Sequence, residues 1–98
     1  MIGAPKSSVA REPSEPDAHD FQLRDLVVHM AKGLVDHPEK VAVEIVTAGE
    51  EGELELRVHD DDMGHVIGKQ GRTARSLRLA LGAAAARVDR RMGLEIAD

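Results

Sequence analysis

The chain has 98 residues, a formal net charge of −5 and no cysteine. These limits allow one domain with a single small core and exclude disulfides, thiolate metal centres and cysteine nucleophiles. An acidic balance also argues against a protein that coats nucleic acid by bulk attraction.

Residues 1–20 hold Pro5, Pro13 and Pro16 among Ser, Glu and Asp, with few large apolar side chains. Such a stretch cannot offset its ordering entropy, so a disordered tail is expected. No apolar run follows a basic start and none reaches the length of a membrane span, which makes a soluble, cytoplasmic chain the expectation.

From Phe21 to about Asp36, Leu23, Leu26, Val27, Met30 and Leu34 recur at three- and four-residue spacing. The spacing predicts a helix capped by Asp20, weakened by Gly33 and ended by Pro38. Val41 to Thr47 is β-branched and nearly continuous in apolar character, as a strand buried on much of both faces would be. Ala48 to Gly52 is a polar turn of hairpin length. Glu53 to His59 then alternates, with Leu54, Leu56 and Val58 facing in. An antiparallel hairpin is expected.

Asp60, Asp61 and Asp62 suit a helix start, where acids satisfy amides and complement the dipole. A brief helix through Met63, Val66 and Ile67 runs into Gly68. A longer one is expected from Gly71 to about Asp89, with Ala74, Leu77, Leu81, Ala84 and Val88 as its buried stripe. Its small-sided stretch, Gly82 to Ala86, admits close approach of another element and offers a pairing surface at Ala84 and Ala85. Met92, Leu94 and Ile96 alternate as a last short strand. The predicted architecture over residues 21–98 is α+β: a three-stranded sheet covered on one face by three helices.

Chemistry concentrates in Val66-Ile67-Gly68-Lys69-Gln70-Gly71-Arg72. A Gly-x-x-Gly turn between helices lets a ligand backbone pass close, and the amides opening the next helix can donate to an anion. Lys69, Arg72 and Arg75 add positive charge there. Between Lys69 and Arg91 the basic residues Lys69, Arg72, Arg75, Arg78, Arg87, Arg90 and Arg91 face one acid, Asp89, so the positive charge is local.

Other chemistries fit less well. A phosphate-binding Walker A loop needs Ser or Thr at the position of Gln70 and glycine at that of Met63. A dinucleotide fingerprint needs a strand leading into the glycines, where a short helix is expected. His19, His29, His37, His59 and His65 lack the short paired spacing of a zinc site. Asp60–Asp62 reads as a cap before it reads as a cation site. No motif pairs a nucleophile with a base, so no enzyme activity, metal or cofactor is expected.

The Gly-Lys-Gln-Gly-Arg-Thr loop between two helices and after a hairpin, with the Asp36-His37-Pro38 stop, resembles a KH domain of type II arrangement. More narrowly, the chain is similar to the small bacterial single-KH RNA-binding proteins of the KhpA family, over about Phe21 to Asp98. That resemblance implies the order α-β-β-α-α-β and a loop that clamps about four nucleotides of single-stranded RNA. It implies that Gly68 and Gly71 admit the sugar-phosphate backbone and that Lys69 and Gln70 reach its oxygens. Val66 and Ile67 would floor an apolar groove, and Arg72 and Arg75 would hold phosphates. The outer edge of the strand ending near Val58 would complete the groove. It further implies a homodimer, or a heterodimer with a second KH-containing RNA-binding protein, and a post-transcriptional or RNA-chaperone role. The alternative is a protein-interaction module acting mainly through that partner. Phe21 is the single aromatic residue, so stacking cannot dominate recognition and weak binding with loose sequence preference is expected.

Overall fold

The computed structural model describes residues 15–98. Helix α1 spans Ala18–Lys32 and begins three residues before the expected Phe21. Its N-cap is Asp17 rather than Asp20. The Asp17 carboxylate accepts from the Asp20 amide at 3.1 Å, and the Asp20 carboxylate accepts from the Asp17 amide at 2.9 Å. This reciprocal capping box satisfies two otherwise orphaned donors. Of the tail expected over 1–20, Ala18 to Asp20 are therefore helical, and residues 1–14 lie outside the described residues. The helix stops at Lys32, before the expected Asp36, because Leu34 donates to Ala31 at 3.0 Å in a tightened last turn.

After a single turn at Pro38–Lys40, strand β1 (Ala42–Thr47) pairs antiparallel with β2 (Glu51–Arg57). Strand β3 (Arg91–Ile96) lies parallel to β2, with Leu54 opposite Leu94 and Leu56 opposite Ile96. The order is β1-β2-β3, so β2 is central and both its edges are paired. The expectation that β1 is buried on both faces fails. It is an edge strand with helices on one side only: Val43 and Ile45 point inward and are half-buried, while Val46 is 55% exposed at a register irregularity.

Between β2 and β3 run a turn at Asp60–Asp62, helix α2 (Met63–Ile67), the loop turn Lys69–Gly71 and helix α3 (Arg72–Ala86). The core joins Leu23, Val27 and Ala31 of α1 to Leu54 and Leu56 of β2, with Val66, Leu77, Leu81, Ala85, Met92 and Leu94 closing it. The inward stripe of α3 is Ala74, Leu77, Leu81 and Ala85. The expected Ala84 is half-buried instead, and Val88 lies past the helix end. Ala85 is fully buried within its own domain, so the pairing surface expected at Ala84 and Ala85 is not an open one. Asp89 adopts φ 60° and Arg90 donates to Ala85 at 2.9 Å, a left-handed cap that ends α3 three residues before the expected Asp89. Among the described residues no helix is long and apolar enough to cross a membrane.

Two features of the scaffold concern charge. Arg90 bonds to both Asp17 and the buried Asp20, the latter at 2.9 Å, and Asp20 also accepts from the Gly49 amide at 3.3 Å. One partly buried node thus ties the start of α1 to the β1–β2 turn and to the entry of β3. The hydrogen bond from Arg90 holds the Asp17 carboxyl well below the usual carboxylate range. On the open face of the sheet, Glu44, Glu55 and Glu95 stand in register across all three strands.

Candidate nucleic-acid interface

The Gly-x-x-Gly turn owes its shape to positive φ angles. Gly68 sits at φ 76°, ψ 170°, a region that side chains essentially forbid. A Cβ there would lie 2.3 Å from Thr73 Oγ1 and 2.8 Å from the Thr73 amide nitrogen. Gly71 sits at φ 75°, ψ 15°, with open space where its Cβ would be. Gln70 also adopts a left-handed conformation, at φ 58° and ψ 25°. Gly68 donates to Gly64 at 2.9 Å and Gly71 donates to Gly68 at 3.1 Å, which closes the turn on itself. Lys69, Gln70 and Arg72 project from it exposed, with Arg72 Nη2 at 3.4 Å from Gln70 Oε1.

Below the turn lies a groove of about 510 Å³ lined by Ile67, Gly71, Ala74, Arg75, Arg78, Glu95 and Ile96. Of the residues singled out from sequence, Ile67, Gly71 and Arg75 line it, while Gly68, Lys69, Gln70 and Arg72 form the turn beside it. Val66 does not belong: it is fully buried in the core, because the short helix turns one of its two adjacent apolar side chains inward. Ile67, 38% exposed, is the one left for the groove. The expected outer edge of the strand ending near Val58 does not exist, since β2 is central. The edge that completes the groove belongs to β3.

Sequence reasoning missed Ala74, Glu95 and Ile96 and left Arg78 as one charge in a basic run. Arg78 Nε donates to the Leu94 carbonyl at 3.0 Å on the outer side of β3. Helical spacing from Arg75 places Arg78 on the same flank, and this is the one signal that pointed to it. Arg90, counted in the same run, is held in the Asp17–Asp20 node and adds nothing to this flank.

Behind the turn, Asp62 is fully buried and accepts from the Asp36 amide at 3.1 Å, the His37 amide at 3.0 Å and His37 Nδ1 at 3.0 Å. It locks the loop before β1 to the start of α2. The Asp60–Asp62 run therefore acts less as a helix cap than as a tertiary anchor through its third member. Burial alone would raise the Asp62 pKa, but these three hydrogen bonds outweigh it and lower it. The same bond raises the His37 pKa. Two groups here have ligand atoms within 4.8 Å of one another: His37, His59 and Asp61, and Asp36, Asp62 and His65. In the first, the imidazoles stack at 4.1 Å and 14°, so their in-plane lone pairs do not converge on one ion. In the second, Asp62 is already engaged by three donors.

Residues 24–96 match the family model described as KhpA/KhpB, KH domain. The chain is 51% identical over 76 residues to a relative from Halalkalibacterium halodurans named RNA-binding protein KhpA, covering 78% of this chain and 100% of the relative. It is 43% identical over 79 residues to the protein of that name from Bacillus subtilis, covering 81% and 98% respectively. With the Streptomyces coelicolor protein of that name it shares 48% identity over 61 residues, 62% of this chain and 77% of the relative.

Proposed function

The chain belongs to the KhpA/KhpB family of KH domains, and from that premise we propose that it binds single-stranded RNA without catalysis, in the groove beneath the Gly68–Gly71 turn. The observation that carries the proposal is the groove itself. An aliphatic floor of Ile67, Ala74 and Ile96 is flanked by Arg75 and Arg78 and capped by a turn in which Gly71 leaves room for a sugar-phosphate backbone. Relatives named as RNA-binding proteins support the ligand class. Lys69, Gln70 and Arg72 hold phosphate and sugar oxygens, and Arg75 holds the next phosphate. Working in the cytoplasm, such a protein acts on messenger or small RNA as a post-transcriptional regulator or RNA chaperone.

A second reading, action through a partner, is favoured by one observation: a shallow apolar groove between α1 and α3, lined by Met30, Leu34, Leu77 and Ala80 among others. A second copy, or a second KH-containing RNA-binding protein, seated there would set two turns on one strand and raise avidity.

The deciding experiment titrates labelled single-stranded RNA of mixed sequence with wild type and with Lys69→Asp/Gln70→Asp at two salt concentrations, with circular dichroism to confirm folding. Salt-sensitive binding by wild type, lost in the folded variant, is the expected result. Equal binding by both proteins, or by neither, refutes the clamp and leaves the partner reading.

A further inference from the structure

We propose that Thr73 is a positioning residue of the clamp: its side chain packs on Gly68 and holds the glycine turn in the shape that receives the strand. The inference rests on the RNA reading above and adds to it a residue that acts without touching the ligand.

The need for such a residue follows from how α3 begins. Helix α1 opens on a reciprocal side-chain capping box, whereas α3 opens on Gly71, which has no side chain to cap with. The turn ahead of α3 holds three residues at positive φ, Gly68, Gln70 and Gly71. Two of them are glycines, the residue type that loses most freedom on being ordered. The bonds that close the turn run from Gly68 to Gly64, from Gly71 to Gly68 and from Arg72 to Lys69. All three join backbone groups no more than four residues apart. A turn held that way relaxes as a unit unless a side chain pins it.

Thr73 supplies the pin. Its Cβ and amide nitrogen stand 2.7 and 2.8 Å from the point where a Cβ of Gly68 would lie, and its Oγ1 is closer still. The threonine therefore fills the side of Gly68 on which a side chain would grow, and the glycine cannot swing that way. Thr73 is itself held in place. It sits in the first turn of α3 beside the buried Ala74, it is half-buried, and its branched Cβ restricts χ1. The core thus reaches the turn through one side chain.

The position of Thr73 also separates it from the strand. Ala74, Arg75 and Arg78 line the groove beneath the turn, while Thr73 lines the other flank of α3, with Ser76, in the groove against α1. Its effect on binding is one of population. A turn that samples several shapes binds through the fraction in the receptive one, and apparent affinity falls by that fraction. With Thr73 in place the turn is ordered before the strand arrives.

The test measures RNA affinity by anisotropy and, on the free protein, exchange of the Gly71 amide by NMR. Wild type is compared with Thr73→Ala, Thr73→Val, Thr73→Ser and Ser76→Ala, each checked by circular dichroism. Thr73→Ala is expected to weaken RNA binding by about 5-fold and to speed Gly71 exchange, as the receptive turn becomes one shape among several. Thr73→Val sets a bulkier methyl against Gly68, is expected to shift both readings the same way, and keeps the test sound if Thr73→Ala fails to fold. Thr73→Ser restores the oxygen and returns both readings toward wild type, and Ser76→Ala changes neither. A folded Thr73→Ala that binds RNA as tightly as wild type overturns the positioning role and leaves the clamp standing. Weaker binding with unchanged Gly71 exchange also overturns it, since Thr73 then touches the strand itself. A wild type that binds no RNA removes the clamp and this role together.

Discussion

Gly68 and Thr73 pack so closely that a methyl group on the glycine would sit 2.3 Å from the threonine hydroxyl. The two glycines of the turn therefore do different work. Gly68→Ala adds a clash to a forbidden φ/ψ pair and is expected to cost about 2–4 kcal/mol. Gly71→Ala meets no neighbour within 4 Å and suffers only the left-handed penalty, about 1–2 kcal/mol. Urea denaturation checks the order. RNA titration of the folded Gly71→Ala protein should still show weakened binding, because the new methyl enters the space reserved for the strand. Equal destabilisation by the two substitutions contradicts the assignment.

The His37–Asp62 pair predicts a pH window for stability. His37 is raised above its ordinary value of 6.5, chiefly by the Asp62 hydrogen bond. Its contribution is complete below 6.5 and is lost as pH rises through the raised value. Asp62 is lowered below 3.8, so its contribution is present above that value and lost as pH falls through the lowered one. Between these limits the pair is strongest. His37→Asn keeps a donor near Asp62 and cannot titrate, so the melting-temperature gap from wild type should be widest near about pH 5.5 and narrow toward about pH 8.5. A gap that stays constant over that range removes the linkage.

In the node at Arg90 the guanidinium and Asp20 are buried while Asp17 is exposed, and both acids lose their cation together. Arg90→Leu leaves Asp20 buried and uncompensated, with an expected loss of about 3 kcal/mol or more. The shift of the urea midpoint measures it. A change below about 1 kcal/mol would mean that solvent replaces the arginine easily.

The register that sets Glu44 opposite Glu55 and Glu55 opposite Glu95 costs stability, since like charges directly across a sheet repel. Glu55 is partly relieved by Arg57 at 3.0 Å. Glu44→Lys turns one repulsion into attraction and should stabilise by about 0.5 kcal/mol at low salt, less at high salt. Thermal melts at two ionic strengths decide it, and a loss of stability at low salt contradicts the register.

What was legible in the chain follows physical range. The glycine spacing, the alternation of β2 and the helical stripe of α3 are local patterns; they yield the α+β element order, and the resemblance of the Gly-Lys-Gln-Gly-Arg-Thr loop in that setting to a KH domain supplies the arrangement. Asp17 and Asp20 are equally good caps by residue type, and only the reciprocal bond between them decides which begins the helix. The apolar run of β1 does not say how many faces are covered, because that depends on where the helices settle. Strand order is likewise not written in any one segment, so the sequence points to β2 for the groove edge that the structure gives to β3. Arg90 with Asp20, and Arg78 with the Leu94 carbonyl, join positions 70 and 16 residues apart. Of two neighbouring apolar residues, Val66 and Ile67, the sequence could not tell which turned inward.

The anchoring of Asp17 to Arg90 has a practical consequence. Helix α3 separates that node from the glycine turn by roughly 22 Å, its 15 residues at 1.5 Å each. A dye, affinity handle or fusion partner joined upstream of Ala18 therefore starts at the end of the domain remote from the groove. Tethering through that end should leave the groove accessible, whereas a handle inserted beside Ile96 would sit across its mouth.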